Sequence, residues 1–335
     1  MRKPVIQPSG AGARWSAARV VLLPALMLVP LSEGAAQSYP AKVVRYVVPF
    51  TAGSGADQLA RVVAGGLSER FGRQVVVENR GGAAGNIGAE AAARAPADGY
   101  TILQGNMPLA TNVSLYRSLS YDLIRDFAPV TQIASSPQVL CVHPSLPVKS
   151  AAALVKLAKS KPGAINYSSA GVGSTTFLAM EILKGMAGVN ILHVPYRGGA
   201  EAVTAVISGE TSVAFLPIST ALPQAKSGRL RAIAVSTAQR LPNHPGIPTA
   251  AESGVAGYEF NNWYGLLVPA KSPKEAVDAI HAAAAAVLNN PDAGRRLTDM
   301  GFVPVVNRSE EFGAYIKSEI DRLGKLIRAF KLVVD

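Results

Sequence analysis

The sequence predicts an α/β protein of two lobes, each a mainly parallel sheet flanked by helices. Apolar, β-branched runs alternate with glycine-rich turns and alanine-rich helices in two sets, the first beginning at Val43 and the second near residue 165. Continuously apolar strands that alternate with helices are typical of βαβ units, in which both faces of a parallel sheet are covered. The length of 335 residues also suits two domains better than one.

Each set consists of strands followed by a turn and a helix. In the first set we predict strands at 43–50, 75–79 and 100–106, with helices at 57–70 and 88–95. In the second set we predict strands at 165–171, 191–196, 213–218 and 230–236, with helices at 174–187 and 199–208.

Two further strand-rich segments, 126–147 and 255–268, connect the sets, and helices are predicted at 273–290, 291–300 and 309–330. The last helix has Ser309 as a candidate N-cap and an apolar stripe at Phe312, Ile316, Ile320, Leu323, Ile327 and Phe330. Two crossings imply a discontinuous first lobe of 37–137 and 263–335 and a second lobe of 138–262. Such an arrangement forms a hinge with a cleft between the lobes.

Residues 1–36 read as a secretory signal peptide. Basic residues precede an apolar run from Val20 to Leu31, and small residues end at Ala36, after which we expect cleavage. The run is shorter than the roughly 20 residues that span a bilayer, although a retained N-terminal anchor is the alternative reading. We therefore expect a soluble periplasmic protein. Cys141 is the only cysteine, so no intrachain disulfide can form.

The composition excludes some classes of function. Hydrophobic residues make up 49% of the chain and charged residues 16%, which excludes extensive disorder. The aromatic content of 6% is too low for a base-stacking surface, and the net charge of +11 is scattered rather than clustered. A soluble protein that prefers small anionic molecules over nucleic acid fits this balance.

Three glycine-rich turns lie where a strand ends and a helix begins: 51–57, 81–88 and 169–175. Ligands of open α/β sheets bind at the carboxyl ends of strands, and helix N-termini hold anions through free N–H groups. The first and third turns, from opposite lobes, are expected to grip the two ends of a dicarboxylate. We expect Thr51, Ser54 and amides near Gly53 at one end, with Ser169, Ser174, Thr175 and amides near Gly171 at the other. The plain alternative is that these glycines only make tight turns.

Other chemistries find little support. Gln58 occupies the third glycine position of a GxGxxG pattern, no Walker lysine follows any turn, and no serine lies in a GxSxG elbow. The four histidines lack metal-ligand spacing, and Cys141 lies in an apolar strand where packing is the simpler role. We therefore expect no catalytic residues, no metal and no cofactor.

A few single residues have two readings each. Arg197, which with Tyr196 ends a second-set strand, can clamp a carboxylate or stay at the surface. Asp57 can order a ligand-bridging water or simply favour its helix terminus. Trp263 and Tyr264 can cap the cleft or pack at the lobe junction.

The motifs resemble the tripartite tricarboxylate transporter substrate-binding family, also known as Bug or TctC-like proteins. Long ordered similarities run from Tyr39 to the C-terminus, at 39–50, 75–101, 118–130, 193–203, 227–240 and 247–259. The resemblance implies the two-lobed periplasmic-binding-protein (Venus flytrap, type II) fold, which closes on a small carboxylate. It also places the ligand at the loop after the first strand and at the second-lobe loop that opens at 169–171.

The sequence departs from the usual family pattern near the ligand. The first loop lacks both inner prolines and has Ser54 in place of a glycine, Phe177 stands where histidine is common, and Leu216 where aspartate often occurs. A less polar second-lobe side makes an amino acid less attractive as a ligand and a longer or aromatic carboxylate more so. The predicted ligand-binding residues are Phe50, Thr51, Ala52, Gly53, Ser54, Asp57, Asn106, Ser169, Ala170, Gly171, Ser174, Thr175, Tyr196 and Arg197.

The predicted function is a monomeric periplasmic solute-binding protein that captures a di-, tri- or aromatic carboxylate. The resemblance implies delivery to a membrane transporter of the tripartite tricarboxylate type, or to a sensor. The alternative is an exported α/β enzyme, for example a hydrolase, that uses the same cleft. Only the binding protein explains loops that lack a nucleophile–base pair.

Overall fold

The computed structural model describes residues 39–241, 243–330 and 332, with the isolated residues 4, 10 and 12. The predicted signal peptide and its cleavage after Ala36 lie outside the described residues. Described residues from Tyr39 onward belong to one compact unit. Within the described part of the chain, no helix has the length and apolar character needed to cross a bilayer.

Ten strands and ten α-helices follow one another along the described chain. The strands are β1 Val44–Val48, β2 Val75–Asn79, β3 Thr101–Asn106, β4 Phe127–Val142, β5 Asn166–Ser169, β6 Leu192–Pro195, β7 Val213–Pro217, β8 Arg231–Val235, β9 Asn261–Pro269 and β10 Val303–Pro304. The helices are α1 Gly55–Phe71, α2 Asn86–Ala93, α3 Met107–Leu115, α4 Ala151–Ser160, α5 Thr175–Ala187, α6 Gly199–Ser208, α7 Ile218–Lys226, α8 Lys274–Leu288, α9 Pro291–Asp299 and α10 Ser309–Ala329.

The strands form two parallel groups joined by one long antiparallel strand. The order is β2-β1-β3-β9-β4-β7-β5-β6, with β8 and β10 also paired to β4. Strand β1 is parallel to β2 and β3, and β5 is parallel to β6 and β7. Strand β4 pairs with β9 along 127–137 and with β7 along 138–142, so it runs from one group into the other. The two α/β groups predicted from the sequence are therefore present, with antiparallel strands between them.

Three helices went unpredicted: α3, α4 and α7. Helix α3 is short and contains Thr111, Asn112 and Val113, and α7 has Pro223 in its interior, so intrinsic propensity disfavours both. Helix α4 was missed although its sequence carries an ordinary helix-start signal. Ser150 caps the helix by accepting from the Ala153 N–H, and Leu154 lies on its buried face.

The C-terminal helix α10 begins one residue earlier than its candidate cap implied. Its N-cap is Arg308, and the Glu311 carboxylate accepts from the Arg308 N–H at 3.1 Å. Ser309 is the first helical residue, and its hydroxyl donates instead to the Val130 carbonyl oxygen at 2.8 Å. The predicted stripe is buried at Phe312, Ile316, Leu323 and Ile327, while Ile320 is half-buried. The helix thus covers the sheet with the face that its sequence indicates.

Candidate functional site

A cavity of about 1040 Å³ opens where strands of both parallel groups end. Its lining includes residues that follow β1, β3, β5 and β7, as expected for ligand sites of α/β sheets. The floor is formed by β4 and β9, which run between the two groups. The volume lies at the upper end of the range of about 300–1,000 Å³ that is usual for small-molecule pockets.

Five helices begin at this cavity: α1, α3, α5, α6 and α7. Each contributes residues of its first turn to the lining, namely Gly55, Pro108, Thr175, Gly199 and Ser219. Helix N-termini carry unpaired N–H groups and a partial positive charge. These helix N-termini therefore favour a negatively charged ligand, and the described lining residues include no basic side chain.

The first glycine-rich loop is held from behind by a buried carboxylate. Asp57 Oδ2 accepts from the Gly53 N–H at 2.9 Å and from Arg61 Nε at 3.0 Å, and Oδ1 accepts from Asn79 Nδ2 at 3.0 Å. Burial alone raises the pKa of Asp57, but these hydrogen bonds outweigh it and hold the pKa below its usual value of 3.8. Asp57 therefore stays ionised and fixes the loop, and it is not part of the cavity lining.

The second-group loop is closed by its own serines. Ser169 Oγ accepts from the Gly171 N–H at 3.1 Å, and Ser174 Oγ donates to the Gly171 carbonyl at 2.6 Å while capping α5. Gly171 has φ of +100°, a backbone conformation that side chains other than hydrogen resist. The amides of Gly53 and Gly171 themselves are therefore already engaged inside their loops, although amides near these glycines were predicted to hold anions.

Free donors lie one turn further along the chain. Among the described residues, the N–H groups of Gly55 and Ala56 in α1 and of Thr175 and Thr176 in α5 have no acceptor. All four residues line the cavity. These first-turn amides are the groups of the two loops that can donate to an anion.

The cavity floor is polar, and sequence reasoning largely missed it. Ser136 and Gln138 on β4 and Asn262 and Tyr264 on β9 line it beside Asn106 at the end of β3. Only Asn106 was among the predicted site residues, and Tyr264 was one of two candidates to cap the cleft. Polar residues at alternate positions of an otherwise apolar strand are the signal that points to such a floor.

The structure brings half of the predicted site residues to the cavity. Those that line it are Phe50, Gly53, Ser54, Asn106, Ala170, Ser174 and Thr175. Those outside its lining are Thr51, Ala52, Asp57, Ser169, Gly171, Tyr196 and Arg197. For the residues in the lining and for those outside it, contact with a ligand stays a prediction.

The residues outside the lining have evident reasons for their placement. Thr51, Ala52 and Arg197 are exposed, whereas Asp57 and Ser169 are buried behind their loops. Trp263 alternates with the floor residues of β9, so it points to the other side and is wholly buried near Phe312. Two second-lobe residues differ from the usual family pattern. Leu216 lines the cavity, whereas Phe177 packs against His193.

The lining as described contains no acidic, basic, histidine or cysteine side chain. Within the described residues, no group of three or more metal-ligating side chains forms a candidate metal site. Cys141 is fully buried, and burial raises the pKa of its thiol to about 12. It is therefore a packed side chain rather than an activated nucleophile.

Solved structures of periplasmic binding proteins share this fold. An R. palustris protein solved with adipate is 36% identical with a TM-score of 0.78, covering 88% of this chain and 98% of its own. Binding protein BugD is 31% identical with a TM-score of 0.76 over 88% of this chain and 99% of its own. MatC from Rhodopseudomonas palustris, solved with bound malate, is 28% identical with a TM-score of 0.74, covering 86% of this chain and 100% of its own. The two-lobed α/β binding-protein class predicted from the sequence is thereby confirmed.

The family follows from the sequence comparisons. The model of the tripartite tricarboxylate transporter family receptor matches residues 59–332. Protein BugT of Bordetella pertussis is 31% identical over 88% of this chain and 90% of its own. A Pseudomonas sp. (strain P51) protein from the tcbD-tcbE intergenic region is 34% identical over 88% of both chains. This chain belongs to the tripartite tricarboxylate transporter receptor family.

Proposed function

We propose that this protein captures a small organic carboxylate in the cavity between its two α/β groups. The first-turn amides of α1 hold one carboxylate group and those of α5 hold the other. Ser54 and Thr175 add hydroxyl donors from the same two turns. The adipate-bound and malate-bound relatives support a carboxylate as the ligand of this chain too.

One observation carries the proposal: five helices begin at a cavity whose described lining residues include no charged side chain. Partial positive charge from helix N-termini favours anions, and a planar carboxylate accepts from adjacent N–H groups. A cationic ligand finds no acidic partner in this lining. A large neutral apolar ligand leaves the first-turn amides unpaired, which is unfavourable once water is excluded.

The same lining argues against the hydrolase alternative. Acyl transfer by a serine needs a base within hydrogen-bond reach of the nucleophile. The described lining offers serine hydroxyls but neither histidine nor carboxylate beside them. Membership of a receptor family also supports binding without turnover.

Export and transporter partners are a second part of the proposal. We propose that the mature protein begins near Gln37, acts in the periplasm and delivers its ligand to membrane components of the tripartite tricarboxylate type. The family of transporter receptors supports this assignment. Mass spectrometry of the periplasmic fraction tests the first step, because an intact Met1 terminus there contradicts processing.

The ligand class is tested by a thermal-shift screen of the purified mature protein. The panel holds succinate, adipate, citrate and benzoate, each beside its uncharged amide. A carboxylate at about 100 times its Kd stabilises the folded state by about 2.7 kcal/mol, which raises the melting temperature by several degrees. We expect shifts with at least one carboxylate and none with its amide.

Calorimetry of each stabilising compound then gives the affinity, and NMR of the recovered compound checks that it is unchanged. Equal shifts with acid and amide contradict carboxylate recognition. Hydrolysis of the dimethyl ester of a bound acid by the protein favours the enzyme alternative instead.

A further inference from the structure

The floor of the cavity carries a continuous row of polar side chains on one sheet face. Asn106 pairs directly with Tyr264 across β3 and β9, and Asn262 pairs with Ser136 across β9 and β4. Directly opposite residues share a face of the sheet, as do residues two apart on one strand. Asn106, Tyr264, Asn262 and Ser136 therefore line up on the cavity side.

Two amide groups in this row keep one atom unpaired. Asn106 Oδ1 accepts from the Leu109 N–H at 3.2 Å, which leaves Nδ2 without an acceptor among the described residues. Asn262 Nδ2 donates to the Tyr264 hydroxyl at 2.8 Å, which leaves Oδ1 without a donor there. The two side chains are 0% and 4% exposed, so both atoms are buried at the cavity floor.

The two unpaired atoms are of opposite kind. Asn106 offers a donor and Asn262 an acceptor, and the two residues are diagonal neighbours across β3 and β9. Diagonal neighbours lie about 7–8 Å apart. Two hydrogen bonds in series through one oxygen span about 5–6 Å, which suits two short side chains rising from such positions.

A hydroxyl group is the smallest ligand group that both accepts and donates a hydrogen bond. A carboxylate accepts only, so it can satisfy Asn106 but not Asn262. A methylene group satisfies neither and leaves both atoms buried and unpaired. The floor therefore distinguishes carboxylates by what their carbon chain carries between the ends.

We propose that Asn106 and Asn262 recognise a hydroxyl group on the carbon chain of the bound acid, so that this protein prefers a hydroxycarboxylate. Asn106 Nδ2 donates to the hydroxyl oxygen, and the hydroxyl donates to Asn262 Oδ1. Gln138, whose Oε1 is likewise unpaired and which lies next along the row, accepts from a second hydroxyl on a longer ligand. The inference rests on the proposed carboxylate-binding function.

The test compares matched acids on the native protein by calorimetry. The pairs are succinate with malate and glutarate with 3-hydroxyglutarate, which differ by one hydroxyl. Two neutral hydrogen bonds and the relief of two unpaired groups predict that the hydroxylated member binds about 10- to 100-fold more tightly. Equal affinity within every pair that binds overturns the inference and leaves the carboxylate function intact.

Substitutions in the cavity floor test which residues cause the preference for a hydroxylated acid. Asn106→Ser keeps an N-cap side chain for α3 but withdraws the amide donor, and Asn262→Ala removes the acceptor. Each is expected to reduce the hydroxyl preference, the ratio of the two affinities within a matched pair, to about 3-fold or less. Urea unfolding of each variant beside the native protein shows that the variant is folded.

Asn261→Ala is the matched control. Asn261 is the preceding residue on β9, its Oδ1 is also unpaired, and it does not line the cavity. The control should keep the full hydroxyl preference. A preference that survives both floor variants overturns the assignment to these residues. If no acid of the screen binds, the proposed function fails and this inference fails with it.

Discussion

The Ser174 hydroxyl donates to the Gly171 carbonyl oxygen at 2.6 Å, which commits its only proton inside its own loop. Ser54 occupies the equivalent cap position of α1, and its oxygen accepts from the Asp57 N–H at 3.3 Å. Among the described residues, the Ser54 hydroxyl has no acceptor of its own. Two loops that look alike in sequence therefore offer different donors to a ligand.

Ser54→Ala is expected to weaken carboxylate binding about 10- to 100-fold, because a hydrogen bond to a charged group contributes about 1.5–3 kcal/mol. Ser174→Ala should weaken it less than about 10-fold, since its proton is already engaged, and should mainly lower the free energy of unfolding by about 1 kcal/mol. Calorimetry and urea unfolding measure the two effects. Ser160→Ala, remote from the cavity, serves as control. A larger loss of binding for Ser174→Ala than for Ser54→Ala contradicts this asymmetry.

Gly171→Val should destabilise the fold and weaken binding together. The backbone φ of +100° strains any side chain by about 1–3 kcal/mol, and a Cβ there meets the Tyr196 carbonyl oxygen at 3.4 Å. Rearrangement of Gly171 also breaks its bonds to Ser169 and Ser174. The matched control is Gly198→Val, where the backbone is extended and no atom lies within 4 Å. Equal stability of the two variants in urea unfolding rules out a strained Gly171.

The stability of the second α/β group should depend on His193. Its Nε2 lies 2.7 Å from Ser169 Oγ, and its ring stacks on Tyr167 at 4.8 Å. Burial lowers the pKa of His193 below its ordinary value of 6.5, and the Lys184 ammonium lowers it further. The negative charge of Glu181 raises this pKa but does not cancel the two other effects. The unfolded chain therefore takes up the proton first. The stabilisation by neutral His193 is complete above pH 6.5 and is lost as the pH falls through the lower folded pKa.

His193→Gln is expected to remove that part of the pH dependence. Urea unfolding between about pH 7.5 and about pH 5 should show a steeper loss of stability for the native protein than for the variant. Thr204→Ser, a non-titrating exchange at an exposed position of α6, is the control and should follow the native profile. Parallel profiles for native protein and His193→Gln count against a buried neutral imidazole.

Cys141 should resist thiol reagents in the folded protein. Its side chain is fully buried on β4, and a pKa of about 12 leaves almost no thiolate at neutral pH. We expect no labelling by an aromatic disulfide reagent under native conditions and one equivalent after unfolding in guanidinium. Rapid native labelling contradicts the burial of this strand.

Ligand binding should close the cavity. The open volume of about 1040 Å³ exceeds what a short dicarboxylate fills, and the donors of α1 and α5 belong to different parallel groups. Small-angle scattering with saturating ligand should give a smaller radius of gyration than without it. A scattering profile that does not change indicates a preformed site. It also argues against the prediction that residues 138–262 form a second lobe that moves on binding.

Local pattern was sufficient for much of this structure. The apolar runs around Val47 and Phe215 and the stripe of α10 appear in the sequence at the spacing their elements require. Helix α7 escaped prediction because its interior Pro223 argues against a helix, and packing overrides that preference.

The candidate site likewise has features that the sequence predicts and features that it does not. The glycine-rich loops that follow β1 and β5 were predictable, since each is a continuous stretch of chain with its own turn chemistry. The donors within them were not, because the carboxylate of Asp57 had already taken the Gly53 amide through a contact that only the folded loop forms.

The sequence by itself determined the two α/β sets and the loops between strand and helix. These features depend on residues close together in the chain. Only the tertiary structure decided that Asn106 and Asn262 are diagonal neighbours beneath those loops, because strand register brings together residues more than a hundred positions apart. No periodicity within either strand encodes that register, so the chemistry of the cavity floor became visible only once β3, β9 and β4 were paired.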